Sequence, residues 1–208
     1  MKKMSYVSIR EVTPHAGKES VLKERMKSIS GIMSKHGAKS ALYKVVAGEG
    51  AGRYDLQNWY SSLEEGAKSF QSYGADAAYQ KIMQMREDGP AGDVVGPWIG
   101  RMVFGAPKGV KPVVVHRDYF APRNTVAKAL ELAPKLQKLM DEVDVEVGIG
   151  VPMLKDDHEM LRVVYRFESM VHWGSSVDKM VIDDRFLTLV NEAHQSTTLK
   201  CSRMLVLQ

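Results

Sequence analysis

The order of elements in residues 1–105, strand, helix, strand, strand, helix, strand, recurs in residues 113–208, with a short Gly- and Pro-containing linker, residues 106–112, between them. This recurrence constrains the fold more than any local motif. Two half-sheets that each carry helices on one face leave a second face that the other half can cover. An ungapped offset of 108 carries Val7, Pro14, Leu22, Lys27, Ser61 and Gly66 onto Val115, Pro122, Leu130, Lys135, Ser169 and Gly174. The ending recurs at an offset of 102, where Arg101-Met-Val-Phe matches Arg203-Met-Leu-Val. The second copy is therefore shorter between its last helix and last strand, where a loop contracts without disturbing a core.

Periodicity gives the elements. Residues 6–12 alternate, with Val7 and Ile9 on one side and Ser8 and Arg10 on the other, so the apolar side is expected to pack on helices. Leu22, Met26, Ile29 and Met33 recur at helical spacing up to His36-Gly37. Residues 41–47 and 54–60 read as strands around Gly48-Glu-Gly-Ala-Gly52, and Ser62-Leu-Glu-Glu65 has the form of a capping box. The helix it opens is interrupted at Tyr73-Gly74, Gly89-Pro-Ala-Gly-Asp93 reads as a loop, and residues 99–104 form a short strand. In the second copy residues 113–120, 146–153, 160–168 and 199–207 are strands. Pro134 kinks or restarts the first helix there, and Asp183-Asp184 divides the second. The expected fold class is α+β: two tandem βαββαβ units with antiparallel sheets packed face to face.

The bulk properties exclude several classes of function. A chain of 208 residues builds a core without staples. Its formal charge is +4, divided as +5 over residues 1–108 and −1 over residues 109–208, yet no basic stripe accompanies it, so no nucleic-acid partner is expected. No apolar run is long enough to cross a membrane, and Met1-Lys-Lys-Met4 is not followed by the apolar core of a signal peptide. Cys201, the single cysteine, lies in an apolar strand pattern and reads as a packed thiol, consistent with a reducing cytoplasm.

Alternation predicts that Ser8, Arg10, His116 and Asp118 share a sheet face, with Asp55, Gln57, Trp59, Tyr165 and Phe167 lining the same cavity from neighbouring strands. His116 and Asp118, two residues apart, have the spacing of an acid-base pair in which the carboxylate orients the imidazole, and Arg10 would then hold an anionic substrate or enolate. The structural alternative is an ion pair between Arg10 and Asp118, which are equivalent positions at an offset of 108. Asp156-Asp-His-Glu159 carries metal-ligand residue types, but four consecutive residues at a hairpin tip do not converge on one ion. No metal site is expected.

The junctions Trp59-Tyr-Ser-Ser-Leu-Glu-Glu-Gly-Ala and Phe167-Glu-Ser-Met-Val-His-Trp-Gly-Ser resemble the dimeric α/β-barrel superfamily, and within it the antibiotic-biosynthesis-monooxygenase-like and NIPSNAP-like domains. Asp184-Arg-Phe-Leu-Thr-Leu-Val-Asn-Glu is similar to a later helix of that family. The resemblance implies ferredoxin-like repeats forming an α/β barrel, with small molecules bound between a sheet and its helices or inside the barrel. Haem-degrading members combine an Asn, the junction Trp and a His. Here Arg10 and Asp118 occupy the Asn position, Met83 and Val190 the His position, and Phe167 replaces Trp59 in the second copy. Haem degradation of that type is therefore not expected, and no cofactor is assigned, although His194 lies one turn beyond Val190.

The resulting expectation is a cofactor-independent monooxygenase-like enzyme acting on an aromatic or polyketide-like substrate. His116, Asp118 and Arg10 would be catalytic, and Trp59, Tyr165, Phe167, Ser8 and Gln57 would bind substrate. The contrasting expectation is a non-catalytic ligand-binding or stress-related barrel. The pairing of the two halves supplies an intrachain pseudo-dimer, and two such chains are free to associate as a homodimer.

Overall fold

The computed structural model describes residues 5–208. Their elements are β1 (Tyr6–Pro14), α1 (Glu19–Lys35), β2 (Lys39–Gly48), β3 (Tyr54–Tyr60), α2 (Leu63–Gly74), α3 (Ala77–Asp88) and β4 (Gly92–Phe104), then β5 (Val113–Phe120), α4 (Val126–Glu131), α5 (Ala133–Asp141), β6 (Glu146–Leu154), β7 (Met160–Phe167), α6 (Met170–Met180), α7 (Asp184–His194) and β8 (Thr198–Leu207). Local chemistry sets the helix starts. The Ser62 and Ser169 hydroxyls accept from the N–H groups of Glu65 and His172, and the carboxylates of Asp76 and Asp183 do the same for α3 and α7. Pro134 falls in the first turn of α5, where its missing N–H costs nothing, so it restarts the helix rather than kinking one.

β4 departs from expectation by beginning at Gly92, seven residues before the strand predicted at 99–104. Its glycines and proline imitate a loop. Gly92 serves close strand approach instead, since a Cβ there would lie 2.6 Å from the Thr13 carbonyl oxygen of the paired β1.

The strands form a closed antiparallel barrel in the order β1-β3-β2-β8-β5-β7-β6-β4. The two half-sheets, β4-β1-β3-β2 and β8-β5-β7-β6, are joined along both edges by the β2–β8 and β4–β6 ladders. One chain therefore closes the barrel, and neither half-sheet keeps a free edge. The helices pack outside. Val12, Leu22, Met26, Ile29, Met33, Tyr54 and Leu56 fill the space between α1 to α3 and the first half-sheet. Val113, Val115, Leu139, Met140, Leu161, Val163, Tyr165 and Phe167 fill the corresponding space of the second half. A small apolar cluster of Ala41, Tyr43, Val45, Val114, Val164 and Leu205 occupies part of the barrel interior.

The register corrects the alignment of the halves. Val7 pairs with Trp59 and Val114 with Arg166, so corresponding positions on these strands are 107 apart. An offset of 108 would pair Val115 with Phe167, whereas Val115 faces Tyr165 and Phe167 faces Val113. Side chains alternate with period two, so a slip of one residue exchanges the inward and outward sets. Val7, Ile9 and Glu11 point into the barrel, and Ser8, Arg10 and Val12 lie on the helix-facing side, the reverse of the expectation that Val7 and Ile9 pack on helices.

Candidate functional site

The barrel interior is rich in charge. Arg162 holds Asp118 by a bidentate fork, with Nε 2.5 Å from Oδ1 and Nη2 2.6 Å from Oδ2. Arg203 Nη1 donates to Glu11 Oε1 at 2.8 Å, and its Nη2 lies 3.7 Å from Asp118 Oδ2. Burial opposes ionisation of Asp118, but Arg162, with help from Arg203, holds its carboxyl well below the usual carboxylate range. Asp55 stands opposite Glu11 across the β1–β3 ladder and is fully buried, and neither carboxylate oxygen finds a donor among the described residues. Burial pushes the Asp55 carboxyl up to about 6 against the pull of Arg203, with Glu11 adding to the rise.

The expected site residues divide among three places. His116 and Asp118 share the inner face, with Gln57 and Trp59 also facing the interior. They do not form the proposed dyad: Asp118 is committed to Arg162, and among the described residues His116 Nδ1 has no hydrogen-bond partner. Burial foremost, then Arg162 and Arg203, pushes the His116 pKa well below its usual value, so the ring is neutral and its protonated form is opposed by nearby cations. That is a poor environment for a general base.

Arg10 lies on the other side of the sheet, where its Nη2 donates to the Tyr73 hydroxyl at 2.9 Å, so the ion pair with Asp118 does not form. Ser8 shares the Arg10 face by alternation. Tyr165 and Phe167 line the helix side of the second half, against Arg117 and His172. The single cavity expected from strand alternation thus does not exist.

The spaces differ in capacity. Two interior voids of about 30 and 40 Å³ meet along Gln57, Trp59 and Val164, the first reaching His116 and Trp98 and the second Arg166 and the linker. At roughly 10–15 Å³ per water-sized centre, each admits a few small atoms and no ring system. Between the first half-sheet and α1 and α3 lies a larger cavity of about 140 Å³, with Arg10, Arg25 and Arg86 set among Val12, Met26, Met83 and other apolar side chains. The second half has helix-side cavities of about 70 and 50 Å³, and exposed His194 lies on the larger.

Sequence reasoning passed over Arg162, Arg166 and Arg203, the cations that organise the interior. Arg162 and Arg166 were readable as a signal. They stand four apart on a strand that is otherwise largely apolar, which places both on one face at a position where water is excluded.

No family profile matches the chain, and no curated protein matches it. Solved structures do. A "putative monooxygenase" from Fusobacterium nucleatum subsp. nucleatum superposes with a TM-score of 0.66 at 7% identity, covering 100% of this chain and 93% of that one. A second, from Lactobacillus acidophilus, gives 0.64 at 9% identity over 99% and 94%. An anthrone oxidase-like protein gives 0.62 at 12% identity over 98% and 91%. The chain has the ferredoxin-like fold of the dimeric α/β-barrel proteins, with both halves of the barrel in one polypeptide.

Proposed function

We propose that this chain is a small-molecule-binding barrel of the monooxygenase-like kind, and that its site lies between the first half-sheet and helices α1 and α3. One observation carries this reading: the 140 Å³ cavity combines apolar walls with three arginines. Its volume corresponds to about ten water-sized centres, the bulk of a one- or two-ring molecule. Arg10 spends one N–H on Tyr73, and the Nε of Arg25 has no acceptor among the described residues, so donors remain for an oxyanion. The ligand class this favours is a flat, weakly acidic aromatic of one or two rings, of which polyketide-like phenols and naphthols are examples.

Cofactor-independent oxygenation suits such a ligand. Its enolate or phenolate reduces dioxygen directly, one oxygen atom entering the ring as a carbonyl and the other leaving as water with the two hydrogens of the oxidised methylene. Arg10 would stabilise that oxyanion. A haem reading fits less well, because the 70 Å³ cavity beside His194 is too small for a porphyrin unless α5 and α7 part. The reducing setting inferred from the single cysteine is compatible with a cytoplasmic enzyme.

The test is thermal stabilisation by 1-hydroxy-2-naphthoate, followed by oxygen uptake with 1-naphthol, whose keto tautomer carries the methylene to be oxidised, as substrate. We expect saturable stabilisation that Arg10→Leu weakens at least tenfold and Trp59→Phe leaves unchanged. Equal binding by Arg10→Leu and wild type would refute the site. Binding without oxygen uptake would select the non-catalytic ligand-binding alternative.

A further inference from the structure

The linker-covered end of the barrel holds a cation with no direct ion pair among the described residues. Arg166 points inward from β7 and is 4% exposed, and neither Nη1 nor Nη2 finds an acceptor among the described residues. Its guanidinium lies over the Trp59 ring at 5.8 Å, which supports the cation through the ring face but leaves its N–H edge unused. Glu146, the cross-strand partner of Arg166, does not neutralise it directly. Lys111 of the linker draws the Glu146 carboxylate to 3.4 Å from its own Nζ and also pairs with Glu168.

The 40 Å³ void adjoins this cation, bounded by Trp59, Val114 and Val164, with Gln57 contributing an amide whose Nε2 is also without a partner among the described residues. The backbone makes room for the arrangement. A Cβ on Gly148 would stand 2.9 Å from Arg166 Nη1. A buried guanidinium with an unused donor edge costs free energy unless something accepts from it.

We propose that this end of the barrel binds a small planar oxyanion, a carboxylate group or an inorganic equivalent such as nitrate, held by Arg166 and Gln57 against Trp59. Two parallel N–H groups match two oxygens of such a group. The void holds about three water-sized centres, enough for the anionic head and little else. Lys39 lies at the rim and adds positive charge to the entrance. The head arrives either as a free ion or at the end of a longer acid whose tail passes the linker at Pro107 and Val110. The site is on the opposite sheet face from the Arg10 cavity and does not depend on it.

The experiment titrates sodium nitrate and sodium acetate into the full chain at ionic strength held constant with a bulky sulfonate buffer salt, reading both the thermal midpoint and tryptophan fluorescence. At about tenfold excess over the dissociation constant we expect the midpoint to rise by roughly 3–6 °C and to saturate. Nitrate should also quench a saturable fraction of the fluorescence, a fraction lost in Trp59→Phe. Arg166→Met should abolish both responses, and Arg166→Lys should weaken them severalfold. If Arg166→Met does not fold, Gln57→Leu serves in its place, with severalfold weaker binding expected. Arg10→Leu should leave both responses intact, which separates this site from the helix-side cavity. Hexanoate binding more tightly than acetate identifies the head of a longer acid, and equal or weaker binding identifies a free ion. Linear, unsaturating responses, or responses unchanged in Arg166→Lys and Gln57→Leu, would overturn the proposal.

Discussion

Replacing Asp55 with asparagine should make this protein more stable at neutral pH, although the residue is fully buried among charges. Asp55 has a carboxyl value of 3.8 in the unfolded chain and about 6 in the folded one, raised first by burial and further by Glu11 against the attraction of Arg203. Between those values the folded state binds the proton that the unfolded state has released. Stability from this group is therefore complete below pH 3.8 and falls away as pH rises through 6. At about 1.4 kcal/mol per decade, the loss amounts to about 3 kcal/mol by pH 8. Asparagine preserves the shape and cannot ionise. Asp55→Asn should therefore raise the thermal midpoint at pH 8 by roughly 6–12 °C, and the difference from wild type should shrink towards zero near pH 4. The assay is thermal or urea unfolding of both proteins from pH 4 to 8, taking the difference so that other titrating groups cancel. A variant that is less stable than wild type at pH 8, or a difference that does not change with pH, would refute the reasoning. Either result would mean that the Asp55 charge is satisfied by Arg203 rather than merely tolerated.

Two further predictions concern the same interior. The depressed pKa of His116 means that its contribution is fully present above the unfolded value of 6.5 and is lost as pH falls below it, opposite in sign to that of Asp55. His116→Phe should flatten the acid side of the stability profile in urea titrations between pH 6.5 and 5, and an unchanged slope would count against a neutral buried imidazole. Arg162→Met should cost about 3–5 kcal/mol by leaving Asp118 buried without its fork, and the double replacement Arg162→Met with Asp118→Leu should recover most of that loss in a double-mutant cycle.

The elements were legible because their signals are local. Alternation marked β1, the Ser62 capping box marked the start of α2, and Pro134 and Asp183-Asp184 marked the divisions between α4 and α5 and between α6 and α7. The site was legible only up to a choice of face. Period-two alternation places Ser8 with Arg10 and His116 with Asp118, but it does not say which set looks inward. In this barrel both faces of every half-sheet are covered, so the usual contrast between a wet and a dry face is absent. Six identities favoured an offset of 108, and that one-residue slip carried Arg10, Ser8, Tyr165 and Phe167 to the wrong side together. Burial patterns could not expose the error, because β7 is buried at every position while its charged members, Arg162 and Arg166, lie inside and its aromatic members, Tyr165 and Phe167, lie outside.

Barrel closure also sets an order on synthesis. The outer edge of β2 is completed by β8, and β2 ends at Gly48 whereas β8 begins at Thr198, so about 150 residues must be made between one partner and the other. At roughly 5–20 residues per second, the edge of β2 waits about 8–30 s for β8, and the first half-sheet, complete only at Phe104, spends about 5–19 s of that time with an inner face carrying Trp59 and Trp98 uncovered. A nascent chain stalled before β8 should therefore be the aggregation-prone form of this protein and the one that chaperones hold. Destabilising changes in β8 should then reduce yield during synthesis more than they reduce the stability of chains already folded.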